Sequence, residues 1–191
     1  MNARIEKKQE RLHFLELHAA EKIKYYQEML SILTALDREF VPPLSERAPQ
    51  VHADVHYDQD NAVTGSVQAY LDEMLNKGNV LGIFVENKFV GVLSYLENEC
   101  FDMITPADLP NIYICTVAVS PEARGMGITK KLYSHLFCER YPNANIFTRT
   151  WSTNLAHIKI LRHFGFEELK RISNDRGEGI DTVYFVKRRS L

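Results

Sequence analysis

The chain has 191 residues, 45% hydrophobic and 25% charged, with a net charge of −2 and three cysteines. That length suffices for one domain with a sizeable core. The near-neutral balance argues against nucleic acid or an anionic membrane surface as a partner, and no apolar run approaches membrane-spanning length. Cys100, Cys115 and Cys138 are odd in number and widely spaced. With no signal peptide, they read as reduced thiols in a cytoplasmic protein.

From Ile5 to Phe40 the apolar positions Leu12, Leu15, Ala19, Tyr26, Met29, Leu33, Leu36 and Phe40 recur in steps of three and four, interrupted by Lys22. This spacing predicts one long helix or a helix pair. Its stripe either packs on its own domain or, as a coiled-coil seam, serves a homodimer. Val41-Pro42-Pro43 ends it. The expected organisation is therefore an N-terminal helical extension over residues 1–43 and a domain over residues 44–191. Leu44 to Asn61 is polar and irregular. Within it, an extended segment would project His52, Asp54, His56, Asp58 and Asp60 to one side. Such a set is ligand-like, yet the same alternation suits a solvated edge or the lining of a substrate cleft, and no metal is expected there.

Thr64 to Asn76 reads as a helix with Val67, Tyr70, Leu71, Met74 and Leu75 inward, Thr64 or Ser66 as cap and Gly78 as stop. Val80 to Glu86 and Phe89 to Leu96 form a hairpin over Asn87-Lys88. The following loop carries Glu97, Glu99, Asp102 and Asp108. It is either a solvated acidic loop or a lure for a cationic amine.

The informative stretch is Asn111 to Glu139. Ile112 to Val119 is almost wholly apolar, as a strand covered on both faces is. A Pro121-bounded turn leads into Arg124-Gly125-Met126-Gly127, and a helix comes next with Ile128, Leu132, His135 and Leu136 on one side. The turn offers several amides to one point at a helix N-terminus. Glycine at 125 and 127 permits close approach of a phosphate, and Arg124 adds positive charge. The spacing fits neither the Walker A pattern nor the dinucleotide pattern, whose third glycine falls on Lys130. Asn145 to Trp151 is the next strand, so strand, helix and strand imply a right-handed parallel crossover with the turn at the strand's carboxyl end. Ser152 or Thr153 caps a helix from Asn154 to Phe164. Phe166–Ser173 and Ile180–Lys187 complete an α/β fold with a mixed sheet.

The sequence from Val117-Ala118-Val119 through Arg124-Gly125-Met126-Gly127-Ile128-Thr129 resembles the acetyl-CoA-binding motif of the GNAT family of N-acetyltransferases, written Arg/Gln-x-x-Gly-x-Gly/Ala. Asn154, eleven residues before Gly165-Phe166, is similar to that family too. The resemblance implies a GNAT-like acyl-CoA N-acyltransferase fold with a splayed cleft, and acetyl transfer from acetyl-CoA to a primary amine of a small molecule or peptide. It implies that pantetheine lies along Cys115 to Val119, that an N–H near Val117 or Ala118 polarises the thioester, and that the pyrophosphate sits on residues 124–129. Many members carry a tyrosine seven residues after the asparagine, read as the general acid; here that position is Leu161. Tyr113, Cys115, His157 and Glu97 are stand-ins by position, and solvent is a further route for the proton. A non-catalytic acyl-CoA-binding module, or another phosphate-ligand binder using the same turn, fits the same residues. The acidic loop tilts the acceptor toward a cationic small molecule.

Overall fold

The computed structural model describes residues 11–47, 65–100 and 103–189. In chain order its elements are β1 (Leu12–Glu16), α1 (Ala19–Lys24), α2 (Tyr26–Leu36), α3 (Val67–Lys77), β2 (Asn79–Val85), β3 (Lys88–Glu97), β4 (Asn111–Val119), α4 (Ile128–Ser134, running on as a wider turn over His135–Arg140), β5 (Asn145–Trp151), α5 (Leu155–His163), β6 (Glu167–Ile172) and β7 (Thr182–Lys187). The strands form one mixed sheet in the order β1-β2-β3-β4-β5-β7-β6. The parallel pair is β4 with β5, since α4 carries the chain back across the sheet between them.

The helical stripe expected from Ile5 to Phe40 needs correction at its start. Leu12–Glu16 is an edge strand antiparallel to β2, with Leu12 opposite Val85 and Glu16 opposite Leu81. Leu12, Phe14 and Glu16 are half-buried, while His13 and Leu15 are exposed. That is the period of two of a strand, hidden because Leu12 and Leu15 also fit a three-residue step. Residues 5–10, like Thr64 and Asp102, lie outside the described residues. Farther on, α2 turns Met29, Ile32, Leu33 and Leu36 into a core shared with Tyr70, Leu71 and Met74 of α3 and with Val92 and Ala118 of the sheet. The stripe thus packs on its own fold. Ser66 caps α3, its Oγ accepting from Ala69 N–H at 3.0 Å.

On the other face, α4 and α5 cover β4 and β5 through Ile112, Ile114, Leu132, Tyr133, Leu136, Ile158 and Leu161. Two irregularities set the geometry of β4. The first is a bulge. Ser94 lies opposite Thr116 and Tyr95 opposite Ile114, so Cys115 is an extra residue. Ile112 and Ile114 face α4 and α5 before the bulge, and Val117 and Val119 do so after it. The second irregularity is a fork. β4 pairs with β5 only from Asn111 to Ile114, and Thr148 Oγ1 donates to the Ile114 carbonyl at 3.1 Å where they part.

Candidate active site

At the end of β4, Gly125 and Gly127 take φ of 79° and 69°. This is the left-handed region, cheap for glycine and strained for a residue with a Cβ. A Cβ built on either would meet nothing within 4 Å, so the outer surface of the turn is open. Arg124 N–H donates to Pro121 C=O at 3.2 Å, and Lys131 N–H to Gly127 C=O at 3.1 Å. Among the described residues, no amide between these two reaches a backbone carbonyl. They are the orphan donors of a helix start, with the dipole of α4 behind them. Counted from Arg124, the family pattern has Gly127 in its fourth place and Thr129 in its sixth, where glycine or alanine is the rule. Met126 packs against the α4–α5 core, and Ile128 is buried within it. Arg124 itself points to Glu39, one terminal nitrogen meeting both carboxylate oxygens at 2.9 and 2.7 Å.

The fork supplies the second component. Ser120 N–H bonds to Val90 C=O. Alternation along an antiparallel pair then directs the Ala118 amide toward β3 and the Val117 and Val119 amides toward the open edge. That edge lacks a strand partner beyond Ile114. Of the two amides expected near the thioester, Val117 faces the cleft and Ala118 does not.

The proton-transfer candidates are scattered. Leu161 is fully buried in the α4–α5 core and offers no proton. His157 lies beside that core, its Nε2 2.6 Å from the Tyr133 hydroxyl, and burial pulls its pKa down to about 4; it is neutral at physiological pH. Burial raises the Tyr113 hydroxyl far above its usual range and pushes the Cys115 thiol up to about 12. A thiol held protonated is a poor nucleophile. Glu97 sits opposite Ile112 at the far end of β4, accepting from Tyr141 Oη at 2.6 Å and Asn79 Nδ2 at 3.1 Å. It is not brought to the fork. Asn154 is the cap of α5 in place of Ser152 or Thr153. Its Oδ1 accepts from His157 N–H at 3.2 Å, and its Nδ2 donates to Thr150 Oγ1 at 3.1 Å.

Behind the fork, on the face away from α4 and α5, aromatic and cationic side chains gather that sequence reasoning missed. Arg149 of β5 donates to Tyr184 Oη at 3.3 Å. Arg47, after the two short helical turns Asp37–Glu39 and Leu44–Glu46 that follow α2, donates from Nε to Pro42 C=O at 3.1 Å and lies over the rings of Phe40 and Tyr70. Arg176, in the turn between β6 and β7, donates from Nε to Thr182 Oγ1 at 2.8 Å, also bonds Val41 C=O, and lies over Trp151. Tyr70 in turn meets Thr116 of β4 through their hydroxyls. The available signal was the alternation in β5, which puts Arg149 and Trp151 together on one face of an otherwise buried central strand.

Among the described residues, no three His, Cys, Asp or Glu side chains converge on a metal position, and no helix is long and apolar enough to cross a membrane. The His52–Asp60 segment lies outside the described residues.

An open glycine turn, a forked parallel pair and a bulged strand between them define an acyl-CoA-binding type of fold. Residues 31–166 match the family model described as Acetyltransferase (GNAT) family, and the chain belongs to that family. No curated protein sequence matches it. Solved structures do. The ribosomal-protein-alanine N-acetyltransferase from Brucella melitensis is 18% identical with a TM-score of 0.60, over 92% of this chain and 99% of that one. A GNAT-family acetyltransferase from Bacillus cereus is 17% identical with a TM-score of 0.60, over 95% and 99%. The yncA protein of Salmonella typhimurium, solved with its cofactor acetyl-CoA, is 16% identical with a TM-score of 0.57, over 94% of each. At these identities the likeness is one of fold.

Proposed function

We propose that this protein is an acetyl-CoA-dependent N-acetyltransferase acting on a primary amine. The observation that carries the reading is the continuity of two unsatisfied backbone surfaces, the amides of residues 125–130 and the open edge of β4 at Val117 and Val119. Together they match the pyrophosphate and the pantetheine arm of one ligand. The amides and the α4 dipole hold the diphosphate, and Arg124 exchanges Glu39 for a phosphate oxygen. Val117 N–H, at the open edge next to the bulge, donates to the thioester oxygen as charge builds there.

Acetyl-CoA supplies the activated acetyl group: the amine nitrogen bonds the acetyl carbon, the carbon–sulfur bond breaks with its electron pair leaving on the CoA sulfur, the amine's proton is released, and the thiolate takes up a proton from water to leave as free CoA thiol. With Leu161 at the usual donor position, that proton passes to water, and the chain contributes chiefly positioning. Cys115, held as a thiol, does not accept the acetyl group, so transfer is direct.

Calorimetric titration with acetyl-CoA and with desulfo-CoA, followed by thiol release across an amine panel, tests the proposal. Micromolar binding with amine-dependent thiol release is expected; absent binding refutes it. The aliphatic residue at position 161 favours one other reading, a non-catalytic acyl-CoA-binding module. Binding without turnover of any amine would select it.

A further inference from the structure

Arg47, Arg149 and Arg176 come from three distant parts of the chain and meet on the sheet face away from α4 and α5, where Phe40 beneath Arg47 lies 6.0 Å from Trp151 beneath Arg176. The charge of Arg149 acts on both others, and that of Arg47 on Arg176. None has an ion-pair partner among the described residues. The charges of Asp37 and Asp175 act on Arg47 and Arg176 from a distance, while their hydrogen bonds go elsewhere: Asp37 accepts from the Ser45 amide and hydroxyl, both at 2.8 Å, and Asp175 accepts from Thr182 Oγ1 at 2.5 Å. Each guanidinium has five N–H donors. Among the described residues, Arg47 engages Pro42 C=O and the Tyr70 hydroxyl, Arg149 uses one donor and Arg176 two. All three are half-buried, so each keeps some accessible surface.

Desolvation, with Arg47 and Arg149 adding repulsion, draws Arg176 down to about 10, and desolvation also lowers Arg47, whereas Arg149, despite desolvation, is raised beside Tyr113 and Tyr184. Three like charges with unused forked donors, walled by Phe40, Tyr70, Trp151 and Tyr184, make a receptor for an oxyanion. They repel polyamines and aminoglycosides. The described carboxylates of the acidic loop are spent elsewhere or distant. Glu97 is at the other end of β4, and Asp108 is consumed by Thr105, whose N–H and hydroxyl it accepts at 2.9 and 3.0 Å, and by Arg188. Glu99 remains as a weaker influence on Cys115.

We infer, on the strength of the acetyltransferase reading above, that the acceptor is a small primary amine carrying its own anionic group, a carboxylate or phosphonate, held by Arg47, Arg149 and Arg176. The expected sign is opposite to that suggested by the acidic loop in the sequence.

Trp151 is the only tryptophan in the chain and lies beneath Arg176, so its fluorescence reports the site directly. The full chain is titrated with amino acids, an aminophosphonate, inorganic phosphate, the matching amides and decarboxylated amines, and a short peptide with a free carboxylate. Thiol release with acetyl-CoA is measured on the same set. Amino acids or the aminophosphonate should saturate the Trp151 signal and exceed their uncharged counterparts in kcat/KM by about 100-fold or more. Arg149→Gln should shrink that ratio to below about tenfold, mainly through KM, and Arg176→Gln provides a second variant if the first fails to fold.

Equal or better use of amines lacking the anion overturns the inference, as does a ratio unchanged in both variants. Preference for the peptide over free amino acids would overturn the small-molecule assignment. Acetyl-CoA calorimetry on the same preparation stands apart. Its failure refutes the acetyltransferase reading, while the fluorescence titration still decides whether the arginines bind an anion.

Discussion

Replacing Gly127 by alanine separates the folding role of the turn from its binding role. Gly127 has φ of 69°, where an alanine costs about 1 kcal/mol. Its new methyl meets nothing within 4 Å, so no clash adds to that figure. In a chain of this size such a loss lowers the melting temperature by about 2–4 °C. The open space is the surface on which the diphosphate is proposed to rest. There the methyl holds the phosphate off the orphan amides, and a loss of about 2 kcal/mol corresponds to roughly 30-fold weaker acetyl-CoA binding. Differential scanning calorimetry and isothermal titration on the same variant read the two effects separately. A melting point lowered as expected, with acetyl-CoA affinity within threefold of the parent, would refute the placement of the diphosphate.

Leu161→Tyr should cost about 1–3 kcal/mol in urea unfolding, because it overfills a fully buried site, and it should not raise turnover; an unchanged midpoint would place the residue at the cleft. The His157 pKa lies near 4 folded against about 6.5 unfolded, so the unfolded chain binds more protons between those values. Stability should rise with pH from 4 to 6.5, by up to about 1.4 kcal/mol per unit from this group, and level off above. His157→Gln should flatten that rise, as pH-dependent denaturation will record. Intact-mass spectrometry after incubation with acetyl-CoA and no acceptor should find no acetylated protein, since Cys115 is held as a thiol. Glu39→Gln should tighten acetyl-CoA binding a few-fold at low salt and little at high salt, because the exposed pair with Arg124 is worth at most about 1 kcal/mol.

The sequence was most legible where local pattern and tertiary role coincide. Ile112 to Val119 is apolar throughout because β4 is central and covered on both faces. Glycine at 125 and 127 marks a backbone that needs positive φ. Local pattern misled at β1, where five residues are too few to distinguish a period of two from a stripe already suggested by α2. It misled again at Glu97, since a carboxylate near a strand's start in sequence is at the wrong end of that strand in space. The arginine cluster was invisible for a topological reason. Arg47, Arg149 and Arg176 meet only because β7 lies between β5 and β6 and the chain after α2 crosses the same face. No spacing along the chain encodes that meeting.

The bulge at Cys115 works as a phase slip along β4. Upstream of it, Tyr113 packs among Leu96, Ile104, Phe147 and Val186 on the face away from α4; downstream, Val117 and Val119 look toward α4 while their amides line the fork. One strand therefore carries two independent messages, written in side chains before the slip and in backbone after it. Deleting Cys115, the extra residue, would remove the slip and leave Ile112, Ile114, Val117 and Val119 in one regular alternation toward α4.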